Sequence, residues 1–236
     1  MQAVILAAGC GSRMGDSTTD VPKAFLEVNG RTLFDHQRTA LSGRVDGITI
    51  MLGYKCENVI DDLTTVDVIV LKRWEKYENA ESLRRALECI DDDVLVLNGD
   101  VVVTPSIIDR LLQHYTTLDG RYNIVACLPG IQNEHTAIQC DEEGNVIDYG
   151  MVPGHRHAGV GIVSRQYRME AIEFLARNRT EWYPHIYPEL PTKRLVIPSA
   201  NHLEINRPND LVDARKRLPL HGNRHLTAST DPRSKR

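Results

Sequence analysis

The sequence predicts an α/β fold, with a mixed, mainly parallel sheet and flanking helices. Short apolar runs alternate with helical patterns through the first half of the chain, as in a sheet built by right-handed crossovers. The first run ends in a glycine-rich loop, and the run that follows residue 93 ends abruptly at a carboxylate, Asp100. The second half has shorter strands and a hairpin, which predicts a small β-rich part beside the main sheet.

In the first half, apolar periodicity and turn residues define the elements. Asn29-Gly30 is a strong signal for a hairpin turn, and Thr104-Pro105 is typical of a helix start. Parallel sheets bind ligands beyond the carboxyl ends of their strands, so we expect the glycine-rich loop and Asp100 to share one site. The predicted strands are residues 3–7, 25–33 with its turn at Asn29-Gly30, 48–52, 66–71 and 93–98, and the predicted helices are residues 33–41, 57–63, 79–90 and one that opens at Thr104.

The second half predicts the remaining elements and the domain boundary. Its strands are residues 123–128, 157–164, 194–197 and 202–205, its hairpin joins 137–140 to 146–149, and its helices are 167–177 and 208–218. From residue 219 the chain is basic and lacks apolar periodicity, so we expect residues 219–236 to be a disordered tail. We therefore predict a single domain over residues 1–218, in which 1–120 and 121–218 contribute different parts of the site.

Composition argues against several classes of function. The 236 residues carry a formal net charge of −4 and include 25% charged and 42% hydrophobic residues, which argues against a general nucleic-acid binder. No apolar stretch approaches the ~20 residues of a membrane span, and Gly9 and Gly11 interrupt the apolar start, unlike a signal peptide. Five cysteines without a CxxC pair favour free thiols, so we expect a cytoplasmic protein.

The loop after the first strand has the composition of a phosphate-binding site. Gly9 and Gly11 leave the backbone bare and allow successive N–H groups to turn toward one anion. Arg13 and Lys23 bracket the loop with positive charge, and Pro22 fixes the approach to Lys23. A bare backbone with two cations predicts a triphosphate site. The alternative is a tight turn between strand and helix with incidental charges.

Transfer chemistry at a triphosphate needs a divalent metal ion to offset the phosphate charge. Mg²⁺ favours one or two carboxylates and keeps several waters. The candidate ligands are Asp100, at its strand end, and Glu204, on a late strand where Asn206 shares its face. We expect Mg²⁺, or Mn²⁺ in its place. The alternative for Asp100 is an ordinary turn carboxylate.

Six segments, in this order and spacing, resemble the nucleotidyltransferase superfamily that activates sugar phosphates and small alcohol phosphates. The segments are LAAGCGSRMG, Pro22-Lys23, Gly53-Tyr54, Asn79-x-x-Ser82, Asn98-Gly99-Asp100 and EINRPNDL. The resemblance spans residues 1–218 and implies a Rossmann-like, GT-A-like nucleotidyltransferase fold. Asn79-x-x-Ser82 stands where hexose-1-phosphate enzymes carry a GTAGA-like segment, and it is more similar to cytidylyltransferases for phosphocholine, inositol 1-phosphate and phosphonates.

The resemblance also implies a role for each matching residue. Arg13 and Lys23 would be the catalytic cations, while Asp100 and Glu204 would hold the metal ion. Asn206 stands where the family often has a second aspartate, and it would offer a carbonyl oxygen without a charge. The residues implied in nucleotide binding are Leu6, Ala7, Ala8, Gly9, Gly11, Ser12, Arg13, Lys23, Asn79, Ser82 and Asp100.

The predicted acceptor site rests on two segments of the second half. Glu181-Trp182-Tyr183 resembles the aromatic and acidic segment of the phosphocholine enzymes, and aromatic faces attract a quaternary ammonium. The second lysine that sugar enzymes use on the acceptor phosphate is not evident, and the run His155-Arg156-His157 offers cations in its place, so His157 is included in the predicted acceptor site. The alternative is that Trp182 and Tyr187 pack the last helix against the sheet.

These features together predict a Mg²⁺-dependent cytidylyltransferase. It would join CTP and a small phosphorylated or phosphonic acid acceptor, such as phosphocholine or 2-aminoethylphosphonate, and release pyrophosphate. One alternative is a sugar-1-phosphate nucleotidyltransferase that uses UTP or dTTP. The other is a catalytically silent nucleotide-binding regulator, which the departure at Asn206 supports. The prediction allows a homodimer and includes no nucleic-acid partner and no membrane span.

Overall fold

The computed structural model describes residues 1–130 and 136–218. The basic tail expected over residues 219–236 lies outside the described residues. Within the described part, no helix is long and apolar enough to cross a membrane.

A mixed nine-stranded sheet dominates the described residues, beside two small two-stranded sheets. The strands are β1 (Gln2–Ala7), β2 (Glu27–Val28), β3 (Arg31–Thr32), β4 (Gly47–Leu52), β5 (Asp67–Val70), β6 (Val94–Asn98), β7 (Val101–Val103), β8 (Asn123–Leu128), β9 (Ala137–Cys140), β10 (Val146–Gly150), β11 (His155–Val163), β12 (Thr192–Val196) and β13 (His202–Glu204). β1 lies between β4 and β6 in parallel, and β5 extends this side. β11 runs antiparallel to β6, β8 and β9. The predicted fold class, a mixed, mainly parallel sheet with further strands in the second half, is therefore confirmed. Strands β8 to β12 of the second half join the same sheet, β11 by antiparallel pairing.

Helices cover both faces of the sheet. They are α1 (Leu33–Leu41), α2 (Asn79–Cys89), α3 (Pro105–Thr117), α4 (Arg168–Arg177), α5 (Ile186–Glu189) and α6 (Pro208–Arg217). Successive residues of β1 point to opposite faces, so Ile5 packs in the apolar cluster of α1 and α3, and Leu6 packs in that of α2, α4 and α5. The central strand is thus buried on both faces, which explains its continuous apolar run.

Most of the predicted elements are confirmed, including the hairpin between β2 and β3. Asn29 and Gly30 have the positive φ angles of 55° and 77° that its tight turn requires. The helix predicted over residues 57–63 is wrong, because two 3₁₀ turns, Cys56–Asn58 and Ile60–Asp62, occupy this stretch. Val59 between them leaves the helical region, with φ of −135°, in a stretch of β-branched and aspartate residues that favour helices weakly.

A bulge in β11 directs its first residues toward the carboxyl end of β6. The pairing of β11 with β8 shifts register between His157 and Gly161. Gly159, inside this interval, has a φ of +67°, and a Cβ there would lie 3.0 Å from Asn98 Nδ2. The position therefore favours glycine both for its backbone angle and for its close contact.

His157 belongs to an aromatic cluster beneath this edge of the sheet. Its ring centroid lies 6.0 Å from that of Tyr149, 5.9 Å from Tyr183 and 6.3 Å from Tyr187. His157 Nε2 is buried and has no hydrogen-bond partner in the described structure. Burial, partly offset by the charge of Glu204, lowers the pKa of His157 to about 4 from its ordinary 6.5. The His157 imidazole is therefore neutral near pH 7, and the permanent positive charge of the run 155–157 belongs to Arg156.

Replacing His157 by Phe is expected to flatten the acid dependence of stability. The unfolded chain takes up a proton at this histidine below pH 6.5, whereas the folded protein resists protonation until the pH reaches about 4. The histidine therefore lowers wild-type stability as the pH falls through this window, by up to about 1.4 kcal/mol per pH unit. Urea unfolding from pH 7.5 to 4 measures the effect. Parallel stability curves for wild type and H157F would contradict a neutral buried imidazole.

Candidate active site

A cavity of about 330 Å³ opens at the carboxyl ends of β1 and β6. Its floor and charged side are formed by Leu6, Ala7, Ala8, Gly9, Gly11, Arg13, Lys23, Asp100, Glu204 and Asn206. Its helix side includes Trp74, Tyr77, Glu78, Asn79 and Ser82, and its far side includes Thr136, Tyr149, Arg156, His157, Trp182 and Pro184. The glycine-rich loop and Asp100, which sequence reasoning assigned to one site, thus line one cavity.

Two glycines hold the loop close to its neighbours. Gly11 has a left-handed φ of +61°, and a Cβ there would lie 3.2 Å from Lys23 Cβ. Gly99 N–H donates to the Leu6 carbonyl at 2.8 Å, and a Cβ at Gly99 would lie 2.9 Å from Ala7 Cβ. The ends of β1 and β6 therefore approach each other with no space for a side chain. Ser12 is exposed and is not among the lining residues.

Charged and amide side chains form a continuous network across the cavity. Lys23 Nζ lies 2.7 Å from Asp100 Oδ2. Asn206 Oδ1 accepts hydrogen bonds from Lys23 Nζ at 3.2 Å and from Arg13 Nη2 at 3.1 Å. Asn206 Nδ2 donates to Glu204 Oε1 at 2.9 Å, and the other oxygen of Glu204 pairs with Arg156. The structure therefore brings together both predicted catalytic cations and all three predicted metal ligands.

Two short antiparallel strands bring the backbone at Asp100 next to the backbone at Glu204. In the pairing of β7 with β13, Glu204 lies opposite Val101, the residue after Asp100. Ile205 N–H donates to the Asp100 carbonyl at 3.0 Å, so the pairing continues one step further. Sequence reasoning recognised β13 but missed β7, because three valines after a strand end do not by themselves reveal a new pairing partner.

The donor set of this network fits a hydrated divalent cation. Burial acts to raise the pKa of Glu204. The positive charge of Arg156 and the hydrogen bond from Asn206 have the larger combined effect, so the pKa of Glu204 lies below its ordinary value. Asp100 Oδ1 is buried and has no hydrogen-bond partner in the described structure. The described residues contain no group of three or more His, Cys, Asp or Glu side chains placed to hold a metal ion. Two carboxylates and an amide oxygen suit Mg²⁺, which keeps several ligands from water or phosphate.

The helix side of the cavity is built at the start of α2. Ser82 is buried and lines the cavity, as does Asn79, whose side-chain oxygen accepts from Tyr183 N–H at 2.7 Å. Sequence reasoning missed Trp74 and Tyr77, which add aromatic surface beside these residues. The sequence did contain a signal for them, because both aromatic residues come just before Asn79-x-x-Ser82, the segment implied in nucleotide binding, where an aromatic ring offers a flat apolar surface.

The far side contains two of the predicted acceptor residues, Trp182 and His157. The Trp182 side chain is 47% exposed and contributes to the cavity wall. Glu181 is exposed but is not among the lining residues. Tyr183 is 0% exposed and packs in the core below, so in this structure it supports the wall without facing the cavity. Thr136, Tyr149 and Arg156 complete this side, and only the cationic run around Arg156 hinted at them in the sequence.

Comparison with known proteins agrees with this geometry. The profile of the MobA-like NTP transferase domain matches residues 3–190. The CMP-5'-(3-aminopropyl)phosphonate synthase of Streptomyces rubellomurinus is 30% identical over 166 residues, which make up 67% of this chain and 26% of that protein. The UTP–glucose-1-phosphate uridylyltransferase AglF of Haloferax volcanii is 31% identical over 114 residues, which make up 46% of this chain and 47% of that protein. The match thus spans less than half the length of each of these relatives.

A solved structure provides an independent comparison of the fold. The inositol-1-phosphate CTP transferase from T. maritima superposes with a TM-score of 0.75 and 18% sequence identity. The superposition covers 92% of this chain and 95% of that one. It confirms the expected nucleotidyltransferase-like fold over almost the whole chain. Because the family profile covers most of the sequence, the chain belongs to the MobA-like NTP transferase family and carries a nucleotidyltransferase domain.

Proposed function

We propose that the protein is a Mg²⁺-dependent cytidylyltransferase that transfers CMP from CTP to a small phosphate or phosphonate acceptor and releases pyrophosphate. The network across the cavity supports this proposal. It gathers three cations, Arg13, Lys23 and Arg156, at one cavity, although the whole chain has a formal net charge of −4. Guanidinium and ammonium groups that converge on a bare glycine-rich loop favour a phosphate ligand at this cavity.

The proposed reaction needs no nucleophile from the protein. The acceptor oxyanion attacks the α-phosphorus of CTP in line with the departing pyrophosphate, so alignment is the main requirement. Arg13 and Lys23 stabilise the charge that develops on the phosphates, and bare backbone at Gly9 and Gly11 lets the triphosphate lie against the loop. Mg²⁺, when bound by Asp100, Glu204 and Asn206, supplies further charge neutralisation.

The far side of the cavity supports a small acceptor with an anionic and a cationic end. Arg156 provides a guanidinium for a phosphate or phosphonate, and it lies next to the network through Glu204. Trp182 and Tyr149 provide aromatic surface for an ammonium group. The Streptomyces relative is named for a CMP derivative of an aminoalkylphosphonate, which supports both cytidine and this class of acceptor.

A sugar-1-phosphate nucleotidyltransferase is the second candidate. The Haloferax relative, named for UTP and glucose 1-phosphate, supports it. The two candidates differ in the base and in the acceptor, while the charged network serves both. A substrate panel therefore separates them.

We expect the panel to favour CTP with a phosphonate or phosphocholine acceptor. Purified protein is incubated with each of four triphosphates and Mg²⁺, and with 2-aminoethylphosphonate, phosphocholine, inositol 1-phosphate or glucose 1-phosphate. Pyrophosphate release with the favoured pair should exceed that with UTP or dTTP and a sugar phosphate by about tenfold or more, which corresponds to ~1.4 kcal/mol. The reverse preference would establish the second candidate. Binding of CTP without pyrophosphate release from any pair would identify the silent regulator.

Lys23→Ala is expected to lower kcat by about a hundredfold or more, because a preorganised cation at the phosphates is lost. The measurement is pyrophosphate release with the favoured substrate pair. Lys216→Ala is the matched control, since Lys216 is 69% exposed on α6 and pairs only across its own helix turn with Asp213 in the described contacts. Full turnover by folded K23A protein would refute the proposed role of Lys23.

Asp100→Asn is expected to weaken metal binding by about tenfold or more, because one of two carboxylates in the donor set loses its charge. Electron paramagnetic resonance of Mn²⁺ titrated into the protein measures this with and without CTP. Asp213→Asn is the control, because Asp213 is 69% exposed and lies on α6. Unchanged Mn²⁺ affinity in D100N, with normal folding, would exclude Asp100 as a ligand.

A further inference from the structure

The segment of residues 178–184, which follows α4, is fastened to the start of α2. Glu78 N–H donates to the Arg179 carbonyl at 3.1 Å, and Ala80 N–H donates to the Glu181 carbonyl at 3.3 Å. The side-chain oxygen of Asn79 accepts from Tyr183 N–H at 2.7 Å. These three bonds link parts of the chain about a hundred residues apart and hold the segment along the first turn of α2.

A buried ion cluster lies at the same junction. Glu81 on α2 is 2% exposed, and both of its carboxylate oxygens accept from Arg179 at 2.9 and 3.0 Å and from Arg84 at 2.6 and 2.9 Å. The Arg179 guanidinium also stacks over the ring of Tyr77, 4.2 Å from its centroid. Arg179 thus contacts a carboxylate through two nitrogens and an aromatic ring through its face, which suits its planar, delocalised charge.

The two arginines reach Glu81 from different parts of the chain. Arg84, one turn further along the same helix, pairs with Glu81 through two nitrogens and also with Glu88. Arg179 comes from the 178–184 segment and occupies the remaining acceptor sites of Glu81. The pair between Arg179 and Glu81 therefore fixes that segment to α2, whereas the pair between Arg84 and Glu81 lies within the helix.

We propose that Arg179 is a positioning residue that holds Trp182 at the wall of the cavity and thereby sets the affinity for the acceptor. Trp182 and Pro184, on the fastened segment, and Tyr77, under the Arg179 guanidinium, line the same cavity. A shift of the segment would move the Trp182 side chain, which is 47% exposed, relative to the rest of the cavity. The inference rests on the proposed function for the identity of the acceptor.

Arg179→Ala tests the inference, with Arg177→Ala as the matched control. Arg177 is an exposed arginine at the end of α4, two residues away. We expect R179A to raise the acceptor KM about tenfold, which corresponds to ~1.4 kcal/mol, with a smaller change in the CTP KM and in kcat. Arg179→Lys keeps the charge but loses the two-nitrogen pairing and the planar stacking, so it should restore the acceptor KM only in part.

A second readout does not depend on turnover. Trp74 and Trp182 are the two tryptophans of the chain, so Trp74→Phe leaves Trp182 as the one indole fluorophore. In that background R179A should lower the nanosecond fluorescence anisotropy of Trp182, because the ring gains local motion, whereas R177A should not. If wild-type protein transfers no nucleotide to any acceptor, the proposed function fails, and the anisotropy alone decides whether Arg179 positions Trp182.

Three results would overturn the inference. One is unchanged Trp182 anisotropy in R179A. Another is an equal rise of the acceptor and CTP KM values, which would indicate a general disturbance of the cavity. The last is a lower melting temperature with unchanged KM values, which would assign Arg179 to stability alone.

Discussion

The ion pair between Lys23 and Asp100 joins two residues that are 77 positions apart, at 2.7 Å. It depends on the glycine-rich loop, because Gly11 leaves space for the Lys23 side chain, and on Gly99, which lets the end of β6 approach the end of β1. Both side chains are mostly buried, so their attraction is screened less than that of a surface pair. In the proposed function, the triphosphate approaches Lys23 and the metal ion approaches Asp100, so both partners of this pair have a role in binding.

Asn206 extends this pair into a network in a way that an aspartate does not reproduce. Its amide oxygen accepts from Lys23 and Arg13 while its amide nitrogen donates to Glu204. A carboxylate at this position would face Glu204 with like charge and would have no proton to donate. The departure from the family pattern therefore has a consistent local structure in this chain, which weakens it as a sign of lost activity.

The sequence was most informative where function depends on local patterns. Gly11, Lys23 and Asp100 could be placed in one site from strand ends and spacing alone, because a parallel sheet gathers those ends at one edge. The prediction of a helix over residues 57–63 was wrong, because the β-branched and aspartate residues of this stretch favour helices weakly. Arg156, Trp74 and the burial of Tyr183 were not predictable in the same way, since each depends on how β11, α2 and the 178–184 segment pack in three dimensions.

The start of α2 is hydrogen-bonded to the 178–184 segment, and this affects which ligand groups it can bind. Glu78, its N-cap residue, gives no side-chain cap, and the backbone N–H groups of Glu78 and Ala80 are already bound by the 178–184 segment. A free helix N-terminus attracts anions through such groups, so their engagement makes this end of α2 less suited to phosphate. The proposed function therefore assigns the phosphates to the glycine-rich loop and its cations. It assigns the uncharged parts of the nucleotide to the side chains of Ser82, Tyr77 and Trp74, which line the same cavity.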